Sequence, residues 1–148
     1  MPKPDPNIPG LVYRHLTPAD CDLLDRVDPD VFDGAIDPQQ LQVFLGQSNH
    51  ALIVAVHAGI VIGQIRGVVH HQPDSPPQLY LDNLGVAPDF QRQGVARRLL
   101  TMITAWAKAQ GCTSAWVATE TDNDVALSFY RAFGFETQTV AYCEVPLD

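Results

Sequence analysis

The sequence predicts an α/β fold, a mixed sheet with helices on both faces. Three observations carry this expectation. The β-branched stretch "HALIVAVHAGIVIGQIRGVVHH" (50–71) is interrupted at Ala58-Gly59 and reads as an antiparallel hairpin. "QLYLDNLGVA" (78–87) is a further strand, stopped by Pro88. Two strand–helix units flank the segment after it, and a crossover through a helix makes the strands on either side parallel.

Each element has a local reason. "MPKPDPNIPG" is an extended lead-in over residues 1–9, stiffened by prolines and without the apolar core of a signal peptide. A first strand covers Gly10 to Arg14. Thr17 is a helix cap, Pro18 suits the first helical position and Asp20 the first turn. Asp37 and Pro38 repeat that start, Leu41, Phe44 and Leu45 share one face, and Gly46 ends the helix. After the hairpin comes the loop "QPDSPP" and then the strand 78–87. From Gly94 the apolar spacing changes: Val95, Leu99, Ile103 and Trp106 fall three or four apart, an amphipathic helix to Gln110 stopped by Gly111. "TSAWVATE" is a strand. "DNDVALSFYRAF" is a helix capped by Asp122 or Asn123 and closed by Gly134, and "ETQTVAYCEV" is a final strand. The order β-α-α-β-β-β-α-β-α-β, without internal repeats, fits one domain over 1–148.

Composition narrows the function classes. The chain has 148 residues, 46% hydrophobic and 18% charged, an ordinary globular balance. No apolar run approaches the ~20 residues that span a bilayer. The net charge of -8 argues against nucleic acid and anionic membranes and favours cationic or neutral partners. Fourteen of the seventeen acids are Asp, and seven of those lie between Asp20 and Asp37, where Arg26 is the sole basic residue. Cys21, Cys112 and Cys143 have no metal-type spacing and read as reduced, buried thiols of a cytoplasmic protein with no metal site.

The junction "QRQGVA" (91–96) carries the chemistry. A strand ends at Val86, a polar loop follows, and a helix begins near Gly94. Such a helix start presents free main-chain N–H groups and the positive end of its dipole, a place for phosphate. Gly94 lets the main chain approach a ligand and Ala96 does not block it. Gln91 and Gln93 add neutral donors; Arg92, Arg97 and Arg98 add three of the chain's nine basic residues. No Gly-Lys-Ser/Thr and no G-x-G-x-x-G is present, so neither common nucleotide loop applies.

Gln-x-x-Gly-x-Ala after an apolar strand resembles the signature of the GNAT superfamily of acetyl-CoA-dependent N-acetyltransferases. "LGV" before it, Leu99-Leu100 after it, and Asn123, Ala126, Phe129-Tyr130 and Gly134-Phe135 in the later helix match the same family. The resemblance covers roughly residues 11–145. It implies a GNAT-like mixed sheet with antiparallel N-terminal strands and a splayed parallel pair. It implies acetyl-CoA as cofactor, with the pyrophosphate on main-chain N–H groups of Gln91, Arg92, Gln93, Gly94, Val95, Ala96 and Arg97. The pantetheine arm would lie beside Leu84, Gly85 and Val86, where a free N–H would polarise the thioester carbonyl. Asn123 would bond the arm, with Ala126 and Phe129 beside it, and Tyr130 would protonate the leaving thiolate. A homodimer is also a family expectation.

Asp82 is the first candidate for general base or amine anchor. Strict alternation places it with Tyr80 and Leu84 on one strand face and Asn83 on the other. The bland alternative is an end-of-strand carboxylate bonded to nearby N–H groups. Tyr130 has its own bland alternative as a half-buried helix aromatic. Asp28, Asp30, Asp33 and Asp37 are candidates for receiving a cationic amine; equally, Asp serves as cap and turn residue in "VDPDVFD". The pair His70-His71 reads as exposed loop, with a proton relay at neutral pH as the alternative.

The stretch 29–56 with "QLYLDNLGV" and "QRQGVARRLL" further resembles the small aminoglycoside 3-N-acetyltransferases of this superfamily. There the family's Tyr-Asp-Leu-Ala-Val is matched by Asp82-Asn83-Leu84-Gly85-Val86, so that Asn83 stands at the family's Asp and Asp82 one residue earlier. The expected reaction is acetyl transfer to a primary amine of a small cationic acceptor, an aminoglycoside (antibiotic resistance) above others. A polyamine, an amino acid or a protein N-terminus is the alternative acceptor, and a non-catalytic acyl-CoA-binding module the alternative class.

Overall fold

The computed structural model describes residues 2–148. Contacts divide them into one compact unit ending at Val117 and a second, Ala118–Asp148. The first unit is built on a six-stranded sheet whose strands lie in sequence order: β1 (Lys3–Pro4), β2 (Leu11–His15), β3 (His50–His57), β4 (Ile60–His70), β5 (Gln78–Val86) and β6 (Ser114–Val117). All neighbours are antiparallel except β5 and β6, which are parallel, as a crossover through a helix requires. That helix, α2 (Val95–Ala109), buries Val95, Leu99, Leu100, Ile103 and Ala107. It packs tightly because β4 offers two glycines. A Cβ on Gly63 would stand 3.3 Å from Val95, and one on Gly67 would stand 3.1 Å from Ile103.

The other face carries a 3₁₀ helix (Pro18–Asp25) and α1 (Pro38–Leu45). Thr17 caps the 3₁₀ helix as its sequence implies, Asp20 returns a bond to make the cap reciprocal, and the Asp37 carboxylate accepts from the N–H groups of Gln39 and Gln40. The segment between the two helices docks on the sheet. Val61 N–H donates to the Arg26 carbonyl at 2.9 Å, and Asp28 N–H donates to the Val61 carbonyl at 3.0 Å. No helix among the described residues is long and apolar enough to cross a membrane.

The lead-in is more ordered than its prolines suggest. Lys3–Pro4 pairs with β2, and Asp5 accepts from the N–H groups of Asn7 and Ile8 and from the phenol of the wholly buried Tyr13. The Arg98 charge also acts on Asp5 and Tyr13. Arg98 therefore serves the β1–β2 end of the sheet, although its neighbours Arg92 and Arg97 are exposed.

In the second unit, α3 (Asp124–Phe133) starts at Asn123, whose Oδ1 accepts from Ala126 N–H. It ends at Gly134 in the left-handed region, φ 119°, with Phe135 N–H turned back to the Tyr130 carbonyl. Residues 136–148 form neither helix nor strand. The expected strand "ETQTVAYCEV" has extended propensity, with Val140 and Tyr142 exposed, but this unit supplies no partner ladder, and a strand exists only as part of one. The cysteines also differ from expectation: Cys21 and Cys112 are half-buried and Cys143 is exposed.

Asp20 tests the docking of the 3₁₀ helix. Its carboxylate is nearly buried and accepts from Arg14, at 2.7 Å, and from the Thr17 N–H and hydroxyl. Burial pushes its pKa up, but these partners outweigh burial and hold it below the usual carboxylate value of 3.8. A lowered folded pKa gives stability that is complete above the unfolded value and lost as pH falls through the folded one. Asp20→Asn is expected to cost about 1.5–3 kcal/mol at neutral pH, by urea unfolding. The gap to the parent should narrow steadily once the pH drops below the ordinary carboxylate range.

Candidate functional site

The site is organised by one irregularity in β5. Arg66 of β4 faces Asn83, but the next residue, Gly67, faces Leu81, so β5 holds one extra residue, Asp82. Leu81 and Leu84, partnered by Gly67 and Ile65, turn to the α2 face. Asp82 and Asn83 between them both present polar groups to the opposite face. There Asp82 pairs with Arg66 at 2.7 Å and accepts from the Tyr80 phenol, while Asn83 meets Gln64 and Asp33. Burial first, and Asp82 second, push the Tyr80 pKa up. The alternation read from sequence, with Asn83 opposite to Asp82 and Leu84 beside it, is corrected by this bulge.

The same strand has an open edge. β6 pairs with β5 over Gln78–Leu81 and stops at Val117, whereas β5 runs on to Val86. Ala87 N–H donates to the Ile62 carbonyl at 2.8 Å, which fixes the phase of the antiparallel ladder. With that phase, Gly85 exchanges bonds with Gln64, and Leu84 and Val86 aim their N–H and C=O groups away from β4, along the open edge. The Val86 carbonyl is taken by Gln91 Nε2 at 2.9 Å. The Leu84 and Val86 N–H groups remain as donors.

Immediately beyond lies the turn. Pro88–Phe90 is a 3₁₀ turn, Arg92 has φ 60° and Gly94 φ 87°. The positive angles fold the chain into a concave run in which the N–H groups of Arg92, Gln93, Gly94, Val95 and Ala96 donate to no acceptor among the described residues. A Cβ built on Gly94 meets nothing within 4 Å, so the cradle opens to solvent. Gln93 Nε2 donates to the Asp89 carbonyl at 3.0 Å, bracing the turn from within. Both glutamines therefore act first as braces of the loop, a role their polarity alone did not indicate. The donor set, all main-chain N–H beside two exposed arginines, fits a diphosphate.

On the bulge side of the sheet the Asp-rich segment encloses a cavity of about 740 Å³. Asp22, Asp25, Asp28 and Asp33 stand on its wall with Leu24, Phe32, Ile36 and Leu41. A smaller cavity of about 280 Å³ adjoins it, sharing Phe32 and Asp33 and reaching Arg66. Asp28 and Asp33 thus stand where the sequence candidates require. Asp30 does not line either cavity: it is exposed, and its N–H donates to the Asp28 carboxylate in a local turn. Asp82 lines neither cavity and reaches the smaller one only through Arg66. Asp22 and Asp25, which the sequence reading did not single out, share a wall because the 3₁₀ helix repeats every three residues.

In the second unit Tyr130 is 8% exposed, with the rings of Phe129 and Phe135 at 5.2 and 5.3 Å. Burial pushes its pKa up, so the phenol holds its proton through neutral and mildly alkaline pH. Asn123 is engaged as the α3 cap, and its Nδ2 reaches the Thr119 hydroxyl at 3.3 Å, leaving one amide N–H for a ligand.

Residues 20–135 match the acetyltransferase (GNAT) family. An aminoglycoside N(6′)-acetyltransferase type 1 of Stenotrophomonas maltophilia is 30% identical over 142 residues, 91% of this chain and 93% of that one. The corresponding protein of Salmonella typhimurium is 30% identical over 95 residues, 61% of this chain and 66% of its own length, just under two thirds. The crystal structure of an aminoglycoside acetyltransferase from an uncultured soil metagenomic sample, in complex with sisomicin, is 25% identical with a TM-score of 0.80, covering 94% of this chain and 97% of that one. Both sequence relatives are named for the 6′ amine, which corrects the 3-amino position implied by the resemblance.

Gly85 is the tightest point of the site. A Cβ there would collide with the Val31 carbonyl oxygen, a backbone atom that cannot turn aside. Gly85→Ala is expected to lower stability by about 1–3 kcal/mol, read from the urea midpoint, because strand or loop must shift.

Proposed function

The chain belongs to the acetyltransferase (GNAT) family, and from that premise we propose that it acetylates a primary amine of a small cationic acceptor, an aminoglycoside as the specific substrate class. The reading treats residues 1–148 as one cytoplasmic catalytic domain. The observation that carries it is the continuity of two donor sets on one strand: the Leu84 and Val86 N–H groups along the open edge of β5, and the unpartnered N–H groups of Arg92–Ala96 directly beyond.

Acetyl-CoA supplies an activated acetyl group as a thioester. The cradle residues Gln91–Arg97 hold the diphosphate: the main chain donates from Arg92 to Ala96, and the exposed Arg92 and Arg97 add positive charge. The β5 edge takes the pantetheine arm as an added strand, so that main-chain bonds set its position without reading its sequence of atoms. A Val86 or Leu84 N–H aimed at the thioester oxygen stabilises negative charge as it develops there. Asn123, with Ala126 and Phe129, is the position to which the family resemblance gives a bond with the arm, and Asn123 keeps one amide N–H for it. The family resemblance gives Tyr130 the role of acid for the leaving thiolate, and its buried phenol keeps the proton that such an acid would supply.

On the acceptor side, Asp28 and Asp33 draw the cationic amine into the acidic cavity and Phe32 and Ile36 cover its apolar rings. Asp82 anchors the amine at the bulge. Its partner Arg66, 2.7 Å away, fixes the orientation of the carboxylate, so Asp82 acts by charge and position, and the amine proton leaves by way of water. The charge of -8 favours this cationic class over a neutral amino acid.

Thiol release from acetyl-CoA with a panel of aminoglycosides, polyamines and peptides tests the reading. Turnover with aminoglycosides first among the panel is expected. Tight cofactor binding without thiol release for any amine would leave only a binding module. Tyr130→Phe is expected to reduce kcat by about 10²-fold or more, with the KM for acetyl-CoA little changed. Asp28→Asn and Asp33→Asn are each expected to raise the KM for a polycationic acceptor several-fold, most visibly at low ionic strength. An unchanged KM in both would remove the acidic cavity from acceptor binding.

A further inference from the structure

Gln64 lies in the middle of β4 and is wholly buried. Its Nε2 donates to the Val31 carbonyl at 3.2 Å and to Asn83 Oδ1 at 2.5 Å. Asn83 Nδ2 in turn donates to Asp33 Oδ2 at 3.1 Å. A backbone carbonyl ends the chain on one side and a carboxylate on the other. Both only accept, so the direction of every bond and the orientation of both amides are fixed. Gln64 Oε1 has no partner. Burying an amide with an orphan acceptor lowers stability, and an aliphatic side chain at this position would avoid that cost. Packing alone therefore does not account for Gln64.

The placement of the chain is what matters. Val31 and Asp33 belong to the segment that walls the acidic cavity, and Val31 crosses β5 against Gly85. Asn83 exists on this face only because of the bulge at Asp82. We propose that Gln64 and Asn83 are positioning residues of the acceptor site: a directed amide relay that locks residues 28–34 to β5 and sets the Asp33 carboxylate. One Asp33 oxygen is held by Asn83. The other, Oδ1, has no protein partner among the described residues and is left for a cationic nitrogen of the acceptor. The relay thereby ties the acceptor wall to the strand whose opposite edge takes the cofactor arm. This inference rests on the acetyl-transfer reading above.

The test uses Gln64→Leu, which keeps the volume and removes both donors, and Asn83→Ala, which cuts the relay nearer the surface and spares the core. Amide hydrogen exchange across residues 28–34 is expected to quicken about tenfold in both variants, with α2 protection unchanged. With sisomicin as acceptor, the KM should rise about tenfold while the KM for acetyl-CoA stays within about twofold, a split that general destabilisation would not produce. Asp33→Asn should add little in the Gln64→Leu background, because the carboxylate is already misplaced. Unchanged exchange in 28–34, a parallel rise of both KM values, or full additivity of the two substitutions would each overturn the relay. Parent protein that turns over no amine would instead defeat the acetyl-transfer reading, and with it the relay's use in acceptor binding, whatever the exchange shows.

Discussion

One inserted residue in β5 governs the site. The bulge at Asp82 turns two consecutive polar side chains to the same side of the sheet, while Leu81 and Leu84 stay packed toward α2. Asp82 can then meet Arg66 and Tyr80, and Asn83 can meet Gln64 and Asp33. Beyond the bulge the ladder with β4 resumes, but β6 has ended, and every second residue of β5 faces an open edge. A regular strand would have buried one of the two polar residues under α2. The added twist of a bulge also suits a strand that must part from its parallel neighbour.

The acidic character of the chain is used in several distinct ways. Asp20 turns inward to Arg14, and Asp37 caps α1. Asp28 closes a local turn, and Asp33 is held by Asn83. Asp28 and Asp33 nevertheless stand with Asp22 and Asp25 on the wall of one cavity, where their local bonds hold the carboxylates in place. The opposite sign is concentrated at the start of α2, where Arg92 and Arg97 are exposed at a helix end that repels cations. A bound dianion relieves that repulsion. The two ends of the proposed reaction, a phosphate-bearing donor and a cationic acceptor, are thereby matched to regions of opposite charge.

What the sequence made legible was local. The strand end, polar turn, single glycine and amphipathic helix at 86–110 depend on neighbours in the chain, and the cradle could be read from them. The caps at Thr17, Asp37 and Asn123 were readable for the same reason. The bulge was not, because alternation assumes one residue for one, and nothing in "QLYLDNLGV" marks the extra residue. Gln64 was hidden as a polar residue in an otherwise apolar strand; its partners lie 33 and 19 positions away. The run 136–145 showed strand propensity, yet a ladder needs a distant partner that propensity cannot supply.

The open edge of β5 and the cradle beyond it together form the place for one ligand. Residue-resolved hydrogen exchange with and without coenzyme A tests it most directly. The Leu84 and Val86 amides and those of Arg92–Ala96 are expected to gain protection together on binding, while Gly85, already bonded to Gln64, changes least. Saturation with coenzyme A that leaves Leu84 and Val86 exchanging at their free rate would contradict it.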